Sequence, residues 1–142
     1  MKYKHREAVK LVADELVLAG LVGRADHIGA HPFQDNRQRL LVATWRPDIV
    51  IRSHGRTYII EIEVGTGLHH TPLLDRVNAL LELEYWVGII CHKKNIQALR
   101  WAFYLNMSNR MPMIDTEKKI LEILYKKLKL PDRYVRSQHN AK

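Results

Sequence analysis

The sequence contains very little cysteine, since Cys91 is the single one among 142 residues. One cysteine excludes an internal disulfide framework and a cysteine-rich zinc site. The chain also lacks an apolar run of the ~20 residues that span a bilayer, so we expect no membrane segment. Met1 leads directly into an amphipathic pattern and not into a secretory leader. These absences predict a protein of a reducing, intracellular compartment, the cytoplasm.

Acidic residues are scarce relative to basic ones. Asp and Glu number 15 and Lys and Arg number 23, which gives a formal net charge of +8. This excess favours an anionic partner, with DNA the first candidate, although a basic protein without such a partner has the same balance. The length suits one domain with one core. We expect a domain over residues 1–130 and a flexible polar tail over residues 131–142.

Hydrophobic periodicity alternates between helical and strand spacing along the chain. Helical spacing predicts a first helix over residues 4–19 that ends at Gly20. Further helices are predicted over residues 71–84, 94–105 and 116–129, and strands near 24–28, 39–45, 48–52, 57–64, 85–91 and 111–114. The order predicts an α/β fold in which a mixed central sheet is flanked by helices, with an α-β-β-β-α-β-α core and a C-terminal helix.

A β-hairpin is the clearest local prediction. Two runs rich in β-branched residues, 48–52 and 57–64, lie on either side of His54-Gly55. A two-residue turn at His54-Gly55 fixes the register of the two strands. In that register Asp48 lies directly opposite Glu61, with their Cβ atoms ~5 Å apart. The hairpin therefore predicts a close pair of carboxylates.

Glu63 adds a third carboxylate to the face that carries Glu61, because side chains alternate along a strand. The opposite face receives the apolar side chains Ile49, Ile51, Tyr58, Ile60 and Ile62. Two unit charges ~5 Å apart repel by roughly 3 kcal/mol at an effective dielectric near 20. A divalent cation, a raised pKa or full solvation would each relieve this repulsion, and oxygen ligands favour Mg²⁺ or Mn²⁺. Val50 and Ile59 share the acidic face and argue against full solvation.

The segment Arg46-Pro47-Asp48, followed after the turn by Glu61-Ile62-Glu63, resembles the motif of the PD-(D/E)xK nuclease superfamily. Archaeal Holliday-junction resolvases and restriction endonucleases belong to this superfamily, and the resemblance covers roughly residues 4–105. It implies a restriction-endonuclease-like fold and a metal-dependent DNA nuclease that hydrolyses phosphodiester bonds. Small relatives commonly dimerise, so the resemblance is also compatible with a homodimer.

The resemblance assigns roles to the three carboxylates. Asp48 and Glu61 match the family's acidic metal ligands for Mg²⁺ or Mn²⁺. Glu63 stands where the family usually has lysine, although some restriction endonucleases carry glutamate there. Glu63 would then be a metal ligand or a general base. The missing lysine supports an alternative function: a catalytically inactive protein of this fold that binds nucleic acid or has a structural role.

Residues around the motif extend the candidate site. Glu7, in the first helix, resembles an acidic residue that resolvase-like members place there as a metal ligand, although any amphipathic helix carries such a glutamate. The candidate nucleic-acid contacts are Arg46, His69, His70 and Arg76. Each has a plainer alternative interpretation as a loop, sheet-edge or solvated helix residue. The remaining histidines lack ligand spacing, so we predict no zinc site.

Overall fold

From residue 47 onward, helices and strands follow one another in the order that the hydrophobic periodicity predicts, whereas the short strand at Gln34–Asp35 was not predicted. The computed structural model describes residues 2–21, 23–26, 33–35, 47–64, 70–106 and 110–130. The helices there are α1 (Lys2–Leu18), α2 (His70–Glu82), α3 (Ile96–Asn106) and α4 (Glu117–Lys127), with a 3₁₀ turn (Lys93–Asn95) before α3. The strands are β1 (Arg24–Ala25), β2 (Gln34–Asp35), β3 (Ile49–Ser53), β4 (Arg56–Glu63), β5 (Trp86–Cys91) and β6 (Met113–Asp115).

The strands form one mixed sheet in the order β2-β1-β3-β4-β5-β6. β3 pairs antiparallel with both β1 and β4, whereas β4, β5 and β6 run parallel to one another. Parallel neighbours need a crossover connection, and α2 and α3 supply it between β4 and β5 and between β5 and β6. The predicted α/β class, with a mixed sheet flanked by helices, is confirmed. The strand predicted over 39–45 lies outside the described residues.

Each face of the sheet is covered by its own helices. The alternating residues Tyr58, Ile60 and Ile62 of β4 pack with side chains of α1 and α4. Ile59 faces the other way and packs with side chains of α2 and α3. Full burial of an aliphatic side chain is worth about 1.5–3 kcal/mol, so a one-residue slip of β4 would cost several such contributions. Such a slip would turn Glu61 and Glu63 towards the apolar layer of α1 and α4, so the alternation of β4 fixes its register.

The end of α1 shows how a local signal positions an element. Gly20 has a φ of +84°, which a glycine adopts at little cost. Its N–H donates to the carbonyl of Val17 at 2.9 Å, and the N–H of Leu21 donates to that of Leu16 at 2.9 Å. This is the Schellman pattern of a helix C-terminus, as the sequence predicted.

Element boundaries differ from the sequence prediction by a few residues. α2 spans His70–Glu82, whereas the sequence predicts a helix over residues 71–84. Helix ends commonly shift by one or two residues, because few hydrogen bonds hold them. None of the helices in the described part of the chain is long and apolar enough to cross a membrane. The predicted polar tail, 131–142, lies outside the described residues.

Candidate active site

The β3–β4 hairpin turns at the two predicted residues. His54 has a φ of +51° and Gly55 a φ of +77°, as a type I′ turn requires at both positions. The strand register runs from Ser53 opposite Arg56 to Ile49 opposite Ile60. The predicted register is therefore confirmed, and one further step along each strand sets Asp48 opposite Glu61.

Asp48 and Glu61 each hold the backbone of the opposite strand. The Asp48 N–H donates to Oε2 of Glu61 at 3.1 Å, and the Ile62 N–H donates to Oδ2 of Asp48 at 2.8 Å. The Asp48 carbonyl accepts the N–H of Asp26, next to β1, at 2.9 Å. Asp48 is 8 % exposed and Glu61 3 % exposed. Because buried polar groups are costly unless hydrogen-bonded, these bonds keep both carboxylates in place.

Two basic side chains approach this pair from opposite faces of the sheet. Nε2 of His5, on α1, lies 3.2 Å from Oδ2 of Asp48. Nη2 of Arg76, on α2, lies 3.8 Å from Oε1 of Glu61. Both basic side chains are 32 % exposed, whereas the Asp48 and Glu61 side chains are 11 % and 4 % exposed. The site thus has a buried acidic centre with a partly exposed basic group on either side.

Burial and mutual charge shift the ionisation of this cluster. Burial raises the pKa of Glu61 well above its ordinary value, the Asp48 carboxylate raises it further, and Arg76 opposes both. The hydrogen bond to Asp48 raises the pKa of His5, against the opposing effect of burial. Burial excludes full solvation as the relief of the carboxylate repulsion; the basic partners His5 and Arg76 oppose that repulsion, and the raised pKa of Glu61 favours its neutral form.

Glu63 and Glu7 lie at the margin of the acidic centre. Glu63 is partly exposed at the end of β4, and its charge contributes to the raised pKa of both Glu61 and His5. Glu7 is exposed on α1, and the α1 side chain in contact with Asp48 is that of His5. The structure thus brings Asp48 and Glu61 together with Arg76, and Glu63 lies close enough to act on them electrostatically.

His5 is a member of the cluster that the sequence prediction missed. A signal was present, because His5 precedes Val9 by four residues and so extends the buried stripe of α1 that continues with Val12 and Leu16. Three predicted contacts cannot be placed. Arg46 and His69 lie outside the described residues, and His70 is described only as the backbone start of α2. Their role towards nucleic acid stays a prediction.

The donor set suits a hard cation in type, since carboxylate oxygens are the ligands that Mg²⁺ and Mn²⁺ prefer. The positions of these oxygens are less suitable for holding a metal ion. Within the described ranges, no three or more His, Cys, Asp or Glu side chains are grouped so that they could hold a metal ion. Oδ2 of Asp48 and Oε2 of Glu61 each accept a backbone N–H, and Arg76 lies beside the other oxygen of Glu61. In this arrangement the residues do not form a ready metal site.

Comparison with known proteins finds no relative of this chain. Interpretation of the site therefore depends on the chain's own geometry: a buried Asp48–Glu61 pair held by backbone hydrogen bonds, with His5 and Arg76 on either side. No family model matches the chain, and neither a curated protein nor a solved structure does.

Proposed function

We propose that this protein is a nuclease of the PD-(D/E)xK type, with a restriction-endonuclease-like fold, that hydrolyses phosphodiester bonds in DNA. The observation that carries the proposal is the buried acidic pair. Asp48 and Glu61 are less than a tenth exposed, in a chain whose formal net charge is +8. The motif of the hairpin and the mixed sheet around it are compatible with this superfamily.

A buried pair of acidic side chains adds little to the stability of a fold. This favours a functional interpretation of Asp48 and Glu61. Replacing buried charged groups by well-packed apolar residues is often neutral or stabilising by about 1–4 kcal/mol. Accepting two backbone N–H groups explains hydrogen-bonding side chains at Asp48 and Glu61, but not two carboxylates that repel each other. Groups with strongly perturbed pKa values cluster at catalytic and binding sites, and Glu61 is such a group.

The surrounding residues have chemistry that suits a phosphodiester substrate. Arg76 is partly exposed beside Glu61, and its guanidinium can bind two oxygens of a phosphate through two parallel hydrogen bonds. Glu63 is partly exposed at the end of β4, where its carboxylate can accept a proton from an attacking water. We expect activity to depend on Mg²⁺ or Mn²⁺, which requires the oxygens of Asp48 and Glu61 to exchange some of their present partners.

A second candidate function is binding of nucleic acid without cleavage. Two observations favour it: the chain's own donors occupy the oxygens of Asp48 and Glu61, and Glu63 replaces the usual lysine of the motif. In that case the cluster would hold the hairpin and α2 in place, and the basic surface would supply the affinity for the polyanion.

One cleavage assay separates the two candidates. The protein is incubated with branched, duplex and single-stranded DNA in Mg²⁺, in Mn²⁺ and in EDTA. We expect metal-dependent cleavage that falls at least about 100-fold in Asp48→Asn, the scale on which a catalytic group contributes. Asp75→Asn, an exposed carboxylate on α2, is the matched control and should cleave normally. DNA binding without cleavage under any condition would support the second candidate and contradict the first.

A further inference from the structure

α3 leaves two aromatic side chains in solvent. Its buried face, with Ile96, Leu99 and Phe103, packs on the sheet. Trp101 and Tyr104 point away from this core and are 61 % and 66 % exposed. Their rings stack on each other, with centroids 5.5 Å apart and planes 23° apart. Single exposed apolar residues are common, but the outer ring face of an exposed aromatic stack is a flat apolar platform on which a planar ligand can continue the stack.

The platform forms one wall of a groove between α3 and β6. The groove has a volume of about 570 Å³. It is lined by Gln97, Arg100, Trp101 and Tyr104 from α3 and by residues 111–114 on the β6 side. Its walls thus combine aromatic and methionine surface with an amide and a guanidinium. This is the composition of sites that bind planar, partly polar groups.

The groove reaches the same end of the sheet as the acidic site. The Arg100 guanidinium donates to the Ile114 carbonyl at 2.9 Å and lies 3.2 Å from Oδ2 of Asp115. Cys91, at the end of β5, pairs in register with Glu63. Burial raises the pKa of the Cys91 thiol to about 11, the charges of Asp115 and Glu63 also raise it, and Arg100 opposes them. Charged residues of the groove (Arg100 and its partner Asp115) and of the acidic site (Glu63) therefore both lie close enough to Cys91 to act on it. Strands β4 and β6 are two spacings apart, roughly 10 Å.

Basic residues outnumber acidic ones in the segment that builds the groove, where Arg100 pairs with Asp115 and Arg110 pairs with Glu84, just after α2. The segment 93–115 contains four basic residues, Lys93, Lys94, Arg100 and Arg110, and one acidic residue, Asp115. Lys93 and Lys94 are exposed in the 3₁₀ turn that follows β5, the strand that lies between β4 and β6. An aromatic platform for bases next to basic groups for phosphates is the pattern with which proteins bind single-stranded nucleic acid. A duplex keeps its base faces stacked inside and cannot use such a platform.

We propose that the α3–β6 groove binds an unpaired nucleic-acid strand, with a base stacked on Trp101 and Tyr104, and directs that strand towards Asp48, Glu61 and Glu63. The proposal rests on the proposed function for its ligand class, nucleic acid. It adds a substrate preference, which is nucleic acid with an unpaired segment over a continuous duplex.

The test measures binding in EDTA, so that no cleavage interferes. A fluorescently labelled DNA single strand of about 16 nucleotides and its duplex are titrated with the full chain by anisotropy. Trp101→Ala should weaken single-strand binding at least about fivefold, the lower end of the effect of losing one stacked base. Duplex binding should change less than twofold. Trp101→Phe retains a stacking ring and should restore most of the affinity.

The matched control is Leu105→Ala, an equally exposed residue of α3 at 62 % that does not line the groove. It should leave single-strand binding unchanged. If Trp101→Ala binds the single strand as wild type does, the proposal is wrong. If sedimentation shows a wild-type dimer that Trp101→Ala converts to monomer with unchanged DNA affinity, the groove is an interface between copies, and the proposal is again wrong.

A separate readout distinguishes failure of this inference from failure of the proposed nuclease function. Asp48→Asn should bind the single strand at least as tightly as wild type, because Asp48 lies outside the groove and its loss removes a carboxylate that repels phosphate. If wild type binds single strands through Trp101 but cleaves nothing, the groove is confirmed and the nuclease proposal is wrong. Cleavage of duplex and of substrates with unpaired segments at equal rates, unaffected by Trp101→Ala, would overturn the groove and leave the nuclease intact.

Discussion

The ion pair between Arg76 and Glu61 allows a quantitative test of the site. At the 3.8 Å separation of Nη2 and Oε1, Coulomb attraction is ~4 kcal/mol at an effective dielectric near 20. The Arg76 side chain is about a third exposed, so water screens part of this attraction. We expect a coupling free energy of about 2 kcal/mol between the two side chains once Glu61 is ionised, less than the 3–5 kcal/mol lost when a fully buried pair is broken.

The assay is a double-mutant cycle with Arg76→Met, Glu61→Gln and the double variant, in which urea denaturation gives the free energy of unfolding. The pKa of Glu61 is raised in the folded protein, so its ionisation lowers stability as the pH rises through that raised value. Removing Arg76 raises this pKa further. The destabilisation by Arg76→Met should therefore grow with pH, from little where Glu61 is protonated to its full value once the pH exceeds the raised pKa of Glu61.

A second ion pair of the chain supplies the matched control. Nη2 of Arg110 lies 3.7 Å from Oε1 of Glu84, nearly the same separation, but the two side chains are 54 % and 76 % exposed. A cycle with Arg110→Met and Glu84→Gln should give a coupling of at most about 0.5 kcal/mol. Equal couplings in the two cycles would refute the reasoning, because burial would then add nothing to the Arg76–Glu61 interaction.

Three further predictions concern other parts of the site and the sheet. The pKa of His5 is raised above its ordinary value of 6.5, so its contact with Asp48 stabilises the fold fully below 6.5 and progressively less as the pH rises through the raised value. His5→Gln should flatten this part of the pH dependence, as measured by urea denaturation. Glu63→Gln should reduce DNA cleavage at least about 100-fold. Anisotropy should show equal or slightly tighter DNA binding, because one carboxylate that repels phosphate is gone. Cleavage as fast as that of wild type would show that Glu63 has no catalytic role. Gly23→Ala should lower the free energy of unfolding by about 1–3 kcal/mol, because the added Cβ would lie 2.3 Å from the Val50 carbonyl oxygen. An unchanged urea midpoint would contradict this close contact between Gly23 and β3.

The hairpin could be predicted from the sequence because all of its determinants are local. His54-Gly55 selects a two-residue turn, and the alternation of apolar residues in β4 then allows one register. The pairing of Asp48 with Glu61 follows without knowledge of any other element. The α/β order of helices and strands was predictable for the same reason, since each element carries its own periodicity.

The partners of the acidic pair could not be predicted in the same way. His5 lies 43 residues before Asp48, and their contact depends on where α1 crosses the sheet. Periodicity shows which face of a helix is buried, but not which strand end that face meets. The exposure of Trp101 and Tyr104 is easier to predict from the sequence than the partners of the acidic pair. The apolar stripe Ile96, Leu99 and Phe103 defines the buried face of α3 and leaves both rings off it. The groove itself depends on β6, a three-residue strand whose position no local signal determines.

The two-residue turn also has a consequence for the order of folding events. Hairpins with short turns form within about 1–10 μs, long before distant elements dock. The carboxylates of Asp48 and Glu61 therefore come together before His5, which is 43 residues from Asp48, and before α2 brings Arg76. In this interval only water, salt and protons reduce their repulsion. The acidic pair is thus expected to slow the early steps of folding, and mild acid or added salt should raise the folding rate more than the unfolding rate.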